Sequence, residues 1–139
     1  MTARSFFDTN VIIYGDDKSE PAKRQRALAL LADHRRAGSG VVSLQVLQEY
    51  FVTVTRKLHV ESSVARRKVE LLAEFEVAVP QLADVLSAID FHRLHGVSFW
   101  DALILRMALE AGCKTLFSEN FQDSPQVEGM QVVNPFRHN

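Results

Sequence analysis

At 139 residues, with 47% hydrophobic and 24% charged, the chain has the length and balance of one globular domain, spanning residues 1–139, which excludes the disordered and fibrous classes. Sixteen basic against seventeen acidic residues leave almost no net charge, so no global field recruits a polyanion or a membrane surface. The single cysteine, Cys113, excludes an internal disulfide and offers no metal-site spacing, and nowhere do about eighteen apolar residues run together. The start has no apolar run of signal-peptide length, so the expected location is the cytoplasm and no membrane partner is expected.

In chain order, Phe6 and Phe7 end a first strand and Val11 to Tyr14 begin a helical turn. A helix is predicted from about Pro21, a favoured first-turn residue, to a stop at Gly38 and Gly40. Val41 and Val42 make a second strand. Ser43 can cap the next helix, in which Leu44, Leu47, Phe51, Val54 and Leu58 form a stripe expected to be buried. Ser62 or Ser63 opens another helix, and "EVAVP" reads as a third strand stopped by Pro80. Two further helices close at Gly96 and Gly112, "KTLFS" is a fourth strand, and "MQVVNPF" holds a short final one. Strands separated by segments this long require crossover connections, which build a parallel sheet with helices on both faces. The expectation is a three-layer α/β/α fold with a central parallel sheet of about four to five strands.

In such sheets ligands bind outside the carboxyl ends of the strands, so the polar residues there are the candidates. Asp8 directly follows the first strand, where a helix N-cap and a reactive carboxylate are both consistent with it. Glu49 lies nearly opposite the expected apolar stripe, on a side that also carries Val46, Val52 and Thr53. Asp101 follows Ser98 in a Ser-x-x-Asp pattern that suits a capping box, and Phe99 and Trp100 are expected to bury that first turn. The fourth strand runs into Ser118, Glu119 and Asn120, with Asp123 just beyond. The five His residues form no HxxxH or HExxH pattern, so a zinc site is not expected.

The ordered set "FFDTNVIIY", "SLQVLQEY", "SFWDALILRMAL" and "KTLFSENFQD" ahead of "VVNPF" resembles the PIN domain, the metal-dependent nuclease fold of VapC-type toxins in type II toxin–antitoxin pairs. The resemblance spans nearly the whole chain. It implies Asp8, Glu49 and Asp101 as the first three acidic residues and metal ligands of the site, with Thr9, Asn10 and Ser118 as polar supports. A fourth acidic residue is usual in the family two positions after the Ser/Thr that ends strand four, where this chain has Asn120. Either Asn120 supplies a neutral oxygen, or Glu119 or Asp123 substitutes, or three carboxylates suffice.

All-oxygen ligands favour a hard cation, Mg²⁺ or Mn²⁺, which would offset carboxylate repulsion of roughly 4 kcal/mol per pair at about 4 Å. The implied activity is hydrolysis of RNA phosphodiesters by a metal-activated water. An antitoxin whose tail inserts an Arg or Lys near the carboxylates, and a homodimer built on the helices after Ser43 and Ser62, are also implied. Cations for substrate phosphates are available at Lys23, Arg24, Arg26, Arg35 and Arg36, and at Arg56, Lys57, Arg66, Arg67 and Lys68. A haloacid-dehalogenase-type phosphotransferase fits less well, since Asn10 stands where that family has its second Asp. A receiver domain would want paired acids near its start. The remaining alternative is a PIN-like protein with weak or no nuclease activity, marked by Asn120, that acts through antitoxin or RNA binding.

Overall fold

The computed structural model describes residues 3–121 and 126–137. Its elements are β1 (Ser5–Phe7), α1 (Thr9–Tyr14), α2 (Pro21–Ala37), β2 (Gly40–Ser43), α3 (Leu44–Arg56), α4 (Ser62–Leu72), β3 (Glu76–Ala78), α5 (Leu82–His95), α6 (Phe99–Glu110), β4 (Thr115–Phe117), β5 (Gln126–Val127) and β6 (Met130–Val133). The sheet order is β3-β2-β1-β4-β6-β5, parallel except for the β5–β6 pair at one edge. Phe6 and Phe7 point to opposite faces of β1, yet both are fully buried, so helices cover the sheet on both sides.

The parallel α/β class is the one expected, with one addition. β5 is antiparallel to β6 and joined to it through Glu128 and Gly129, both in the left-handed region at φ 47° and 85°. A two-residue strand carries no periodicity, which is why the sequence shows only the second arm of this hairpin.

The strand order places β1 at the centre, with β2 and β3 built outward on one side and β4 on the other. The switch point, where such sheets open a crevice, therefore lies between the carboxyl ends of β1 and β4. The ladder continues just past both strands: Asp8 N–H donates to the Phe117 carbonyl (3.0 Å) and Ser118 N–H to the Val133 carbonyl (3.0 Å). Asp8 and Ser118 are thus fixed side by side by backbone pairing.

The α3 stripe requires a correction. Leu44 is 41% exposed and Phe51 36%, whereas Val46, Leu47, Tyr50 and Val54 are buried. Tyr50 is the cause. Its hydroxyl donates to Asp16 Oδ2 (2.5 Å), and Lys68 of α4 pairs with the same carboxylate, so the largest side chain of α3 is buried with its polar end satisfied. Burial pushes the Tyr50 hydroxyl up to about 12, and it remains a donor at any physiological pH. Counting only aliphatic and Phe positions as the buried face misplaces the helix by part of a turn.

Gly40, at the start of β2, lies against Phe75, whose ring stacks on Phe7 at 5.9 Å. A Cβ at position 40 would stand well inside contact distance of two Phe75 ring carbons. Gly40→Ala is therefore expected to lower stability by about 1–3 kcal/mol, read from urea unfolding, and an unchanged midpoint would show that the Phe75 ring yields freely.

Candidate active site

Four elements deliver polar side chains to one cleft of about 500 Å³ at the switch point, and its lining includes Asp8, Asn10, Glu49, Asp101 and Asn120. Asp8 is the N-cap of α1, as the first reading of it expects, and at the same time part of the cleft wall. Its Oδ1 accepts from Thr9 N–H (2.7 Å), and its Oδ2 accepts from Ser118 Oγ (2.7 Å) and Asn10 Nδ2 (3.2 Å). The side chain is nearly sequestered, with Asp8 at 4% exposure. Burial, opposed by the Ser118 and Thr9 hydrogen bonds and reinforced by the charges of Asp101 and Glu49, raises its pKa from the ordinary 3.8 to about 6. A carboxylate held against that penalty creates a strong local demand for a cation.

Thr9 and Asn10 tie the cluster together. Thr9 Oγ1 donates to Glu49 Oε1 (2.8 Å), linking α1 to α3. Asn10 Oδ1 accepts from Glu119 N–H (3.2 Å), and its Nδ2 also approaches Ser118 Oγ (3.4 Å). Ser118 Oγ in turn accepts from Asn120 N–H (3.1 Å), which sets the loop after β4 beside Asp8.

Glu49 is half-buried, because the true rotation of α3 puts it on the flank of the buried stripe and not opposite it. On that flank Gln45, Glu49, Thr53 and Lys57 follow at intervals of four and all line the cleft. Gln45 was not among the residues expected at the site. The four-residue spacing with Glu49 was the available signal.

Ser98 caps α6 by accepting from Asp101 N–H (3.1 Å). The Asp101 carboxylate lines the cleft. The expectation that Phe99 and Trp100 bury this turn is corrected: Phe99 is half-buried but Trp100 is 59% exposed, its ring edge-on to Phe99 at 5.0 Å. What holds the turn is the Ser98 cap together with Gln45 Nε2, which donates to the Trp100 carbonyl (3.3 Å).

Asn120 reaches the cleft lining; Glu119 does not. Lys23 donates to Glu119 Oε2 (3.0 Å) and to the Tyr14 hydroxyl (3.2 Å), with its ammonium 4.6 Å from the Tyr14 ring centroid. That carboxylate is turned to a cation of α2. Asp123 lies outside the described residues.

The donor set is oxygen throughout, with no His or Cys in the lining, which suits a hard cation. Among the described residues no group of three or more His, Cys, Asp or Glu side chains is placed to hold a metal ion. An ion such as Mg²⁺ would need only one or two of these carboxylates directly and would keep several waters, for which the cleft has room.

The PIN-domain family matches residues 5–122. The chain belongs to the PIN-domain family. That stretch runs from β1 to the loop after β4 and so takes in every carboxylate of the cleft. PIN domains are nucleases, and the fold here is similar to two solved structures. One is the Mycobacterium tuberculosis VapC20, a sarcin–ricin loop cleaving toxin, at 20% identity over 84% of this chain and 92% of that one, with a TM-score of 0.69. The other is a toxin–antitoxin complex from Klebsiella pneumoniae, at 22% identity over 96% and 99% of the two chains, also with a TM-score of 0.69. No curated protein matches this PIN domain by sequence. Among the described residues no helix is long and apolar enough to cross a membrane.

Proposed function

We propose that this PIN domain is a divalent-metal-dependent ribonuclease and the toxin of a type II toxin–antitoxin pair, with Asp8, Glu49, Asp101 and Asn120 as its site. The observation that carries the reading is the shared cleft: four residues from four separated segments line one cavity at the switch point of the sheet. Asp8 and Asp101 are the direct ligands proposed, and Glu49, already accepting from Thr9, joins through a bound water. Held there, a Mg²⁺ or Mn²⁺ ion would supply positive charge beside a phosphoryl oxygen and would lower the pKa of a water for attack on the phosphodiester. Ser118 and Asn10 keep Asp8 oriented, and Asn120 offers an amide oxygen where a fourth carboxylate is usual in the family.

An antitoxin that inserts a Lys or Arg would find in the same cleft the opposite charge it needs, and the similarity to a toxin–antitoxin complex supports such a partner. A homodimer is the assembly proposed. Exposed apolar side chains on α3 and α4, Phe51 and Val64 among them, are available to it, and Leu82, Leu86 and Ile89 form a second such stripe on α5.

Protein freed of antitoxin is expected to degrade RNA in Mg²⁺ or Mn²⁺ and to stop when the ion is chelated. Persistence of cleavage under chelation would contradict the metal-dependent reading. The second reading, a PIN domain with little nuclease activity, is favoured by one specific feature: the neutral Asn120 in the cleft while Glu119 is engaged by Lys23. Asn120→Asp tests it. Adding a charge there is expected to tighten Mn²⁺ binding roughly tenfold by calorimetry, and unchanged affinity would place the side chain away from the ion.

A further inference from the structure

We propose that Lys57 is the substrate-positioning cation of the cleft, holding an RNA phosphate adjacent to the scissile one; this rests on the nuclease reading above. Ten Lys and Arg residues of α2, α3 and α4 and their ends are candidates by sequence, but the structure separates them sharply. Lys23 pairs with Glu119, Arg35 with Glu74, Arg36 with Asp33, Arg66 and Arg67 with Glu70, and Lys68 with Asp16. Among the described residues Lys57 is the only Lys or Arg that lines the cleft, and no ion pair engages it.

Its position follows from the helix. Lys57 ends the row Gln45, Glu49, Thr53, Lys57 on one side of α3, as the C-cap residue still in right-handed helical geometry. Eight residues separate it from Glu49, about 12 Å along the axis at roughly 1.5 Å per residue. That offset is too long for Lys57 to neutralise the carboxylates and suits a neighbouring phosphate of the same strand. A cation at the C-terminal end of a helix is also favoured there by the helix dipole, so the position costs the fold nothing. Arg56, the preceding residue, does not line the cleft and serves as the control.

The test measures binding of a short single-stranded RNA of mixed sequence, by fluorescence anisotropy in Ca²⁺ over a range of salt, together with cleavage kinetics in Mn²⁺. Lys57→Ala is expected to weaken binding about fivefold to tenfold and to reduce the slope of log affinity against log salt by about 0.7, the loss of one phosphate contact. KM should rise with little change in kcat, Lys57→Arg should restore KM and the salt slope, and Arg56→Ala should leave the slope unchanged. An unchanged slope in Lys57→Ala, or an equal reduction in Arg56→Ala, overturns the assignment while leaving the nuclease reading intact. A wild-type protein that neither binds nor cuts RNA overturns both.

Discussion

Asp8→Asn is expected to abolish RNA cleavage, by at least about 100-fold, and yet to make the metal-free protein more stable. The two effects have one cause. Asp8 is buried, and its folded pKa of about 6 lies above the ordinary 3.8, so the folded state is the one that holds the extra proton. Stability contributed by the protonated form is therefore complete below about pH 4 and is lost as the pH rises through about 6. Above that, the ionised group costs on the order of 3 kcal/mol, at about 1.36 kcal/mol per unit. The substituted amide would keep an acceptor for the Thr9 N–H and lay its NH₂ against Ser118 Oγ, whose hydroxyl can turn to accept, while the hydrogen bond from Asn10 Nδ2 is lost at a cost of about 1 kcal/mol. At pH 8 without metal the variant is expected to gain about 1–3 kcal/mol in urea unfolding, the gain shrinking toward pH 4. A variant less stable than wild type at pH 8 would show that the lost charge-assisted hydrogen bonds outweigh the relieved burial.

Asp101→Ala is expected to cost about 100-fold to 1,000-fold in cleavage while changing stability by less than about 1 kcal/mol. The small second figure follows from the division of labour at the start of α6. Ser98 supplies the cap, accepting from Asp101 N–H, so the Asp101 carboxylate is not needed to hold the helix. Ser98→Ala should show the reverse pattern, with about 1 kcal/mol of stability lost and cleavage retained. Measured side by side, by urea unfolding and single-turnover kinetics, the pair separates a structural aspartate from a ligand. Equal behaviour of the two variants would return Asp101 to a capping role.

The parallel sheet was legible in the sequence because its strands are β-branched or aromatic runs spaced by long helical segments, and that spacing forbids hairpins. The caps were legible too, since Ser43, Ser98 and Gly96 act through local chemistry that needs no tertiary context. The rotation of α3 was not. It depends on Tyr50 finding Asp16 and Lys68, residues distant in sequence, and an aromatic with a hydroxyl does not announce itself as core. The exposure of Trp100 was missed for a related reason: bulk predicts burial only where a neighbouring element supplies a partner surface.

Asp8, Glu49 and Asp101 were nominated by their places at strand ends and in motifs, but the contents of the cleft between them were not. That Asn120 lines it while Glu119 pairs with Lys23 depends on which way two adjacent side chains turn in one loop. Alternation along a strand offers no guide once the strand has ended. The selection of Lys57 from ten cations is a matter of position, since the others lie outside this cleft.

The most direct measurement is single-turnover cleavage of an RNA pool as a function of free Mn²⁺, for wild type and Asp101→Ala. The wild-type rate is expected to rise from zero in chelator to a plateau, and the Asp101→Ala curve to shift to higher Mn²⁺ with a far lower plateau. Wild-type cleavage that is indifferent to Mn²⁺, or an Asp101→Ala curve superimposable on wild type, would contradict a metal-dependent site in this cleft.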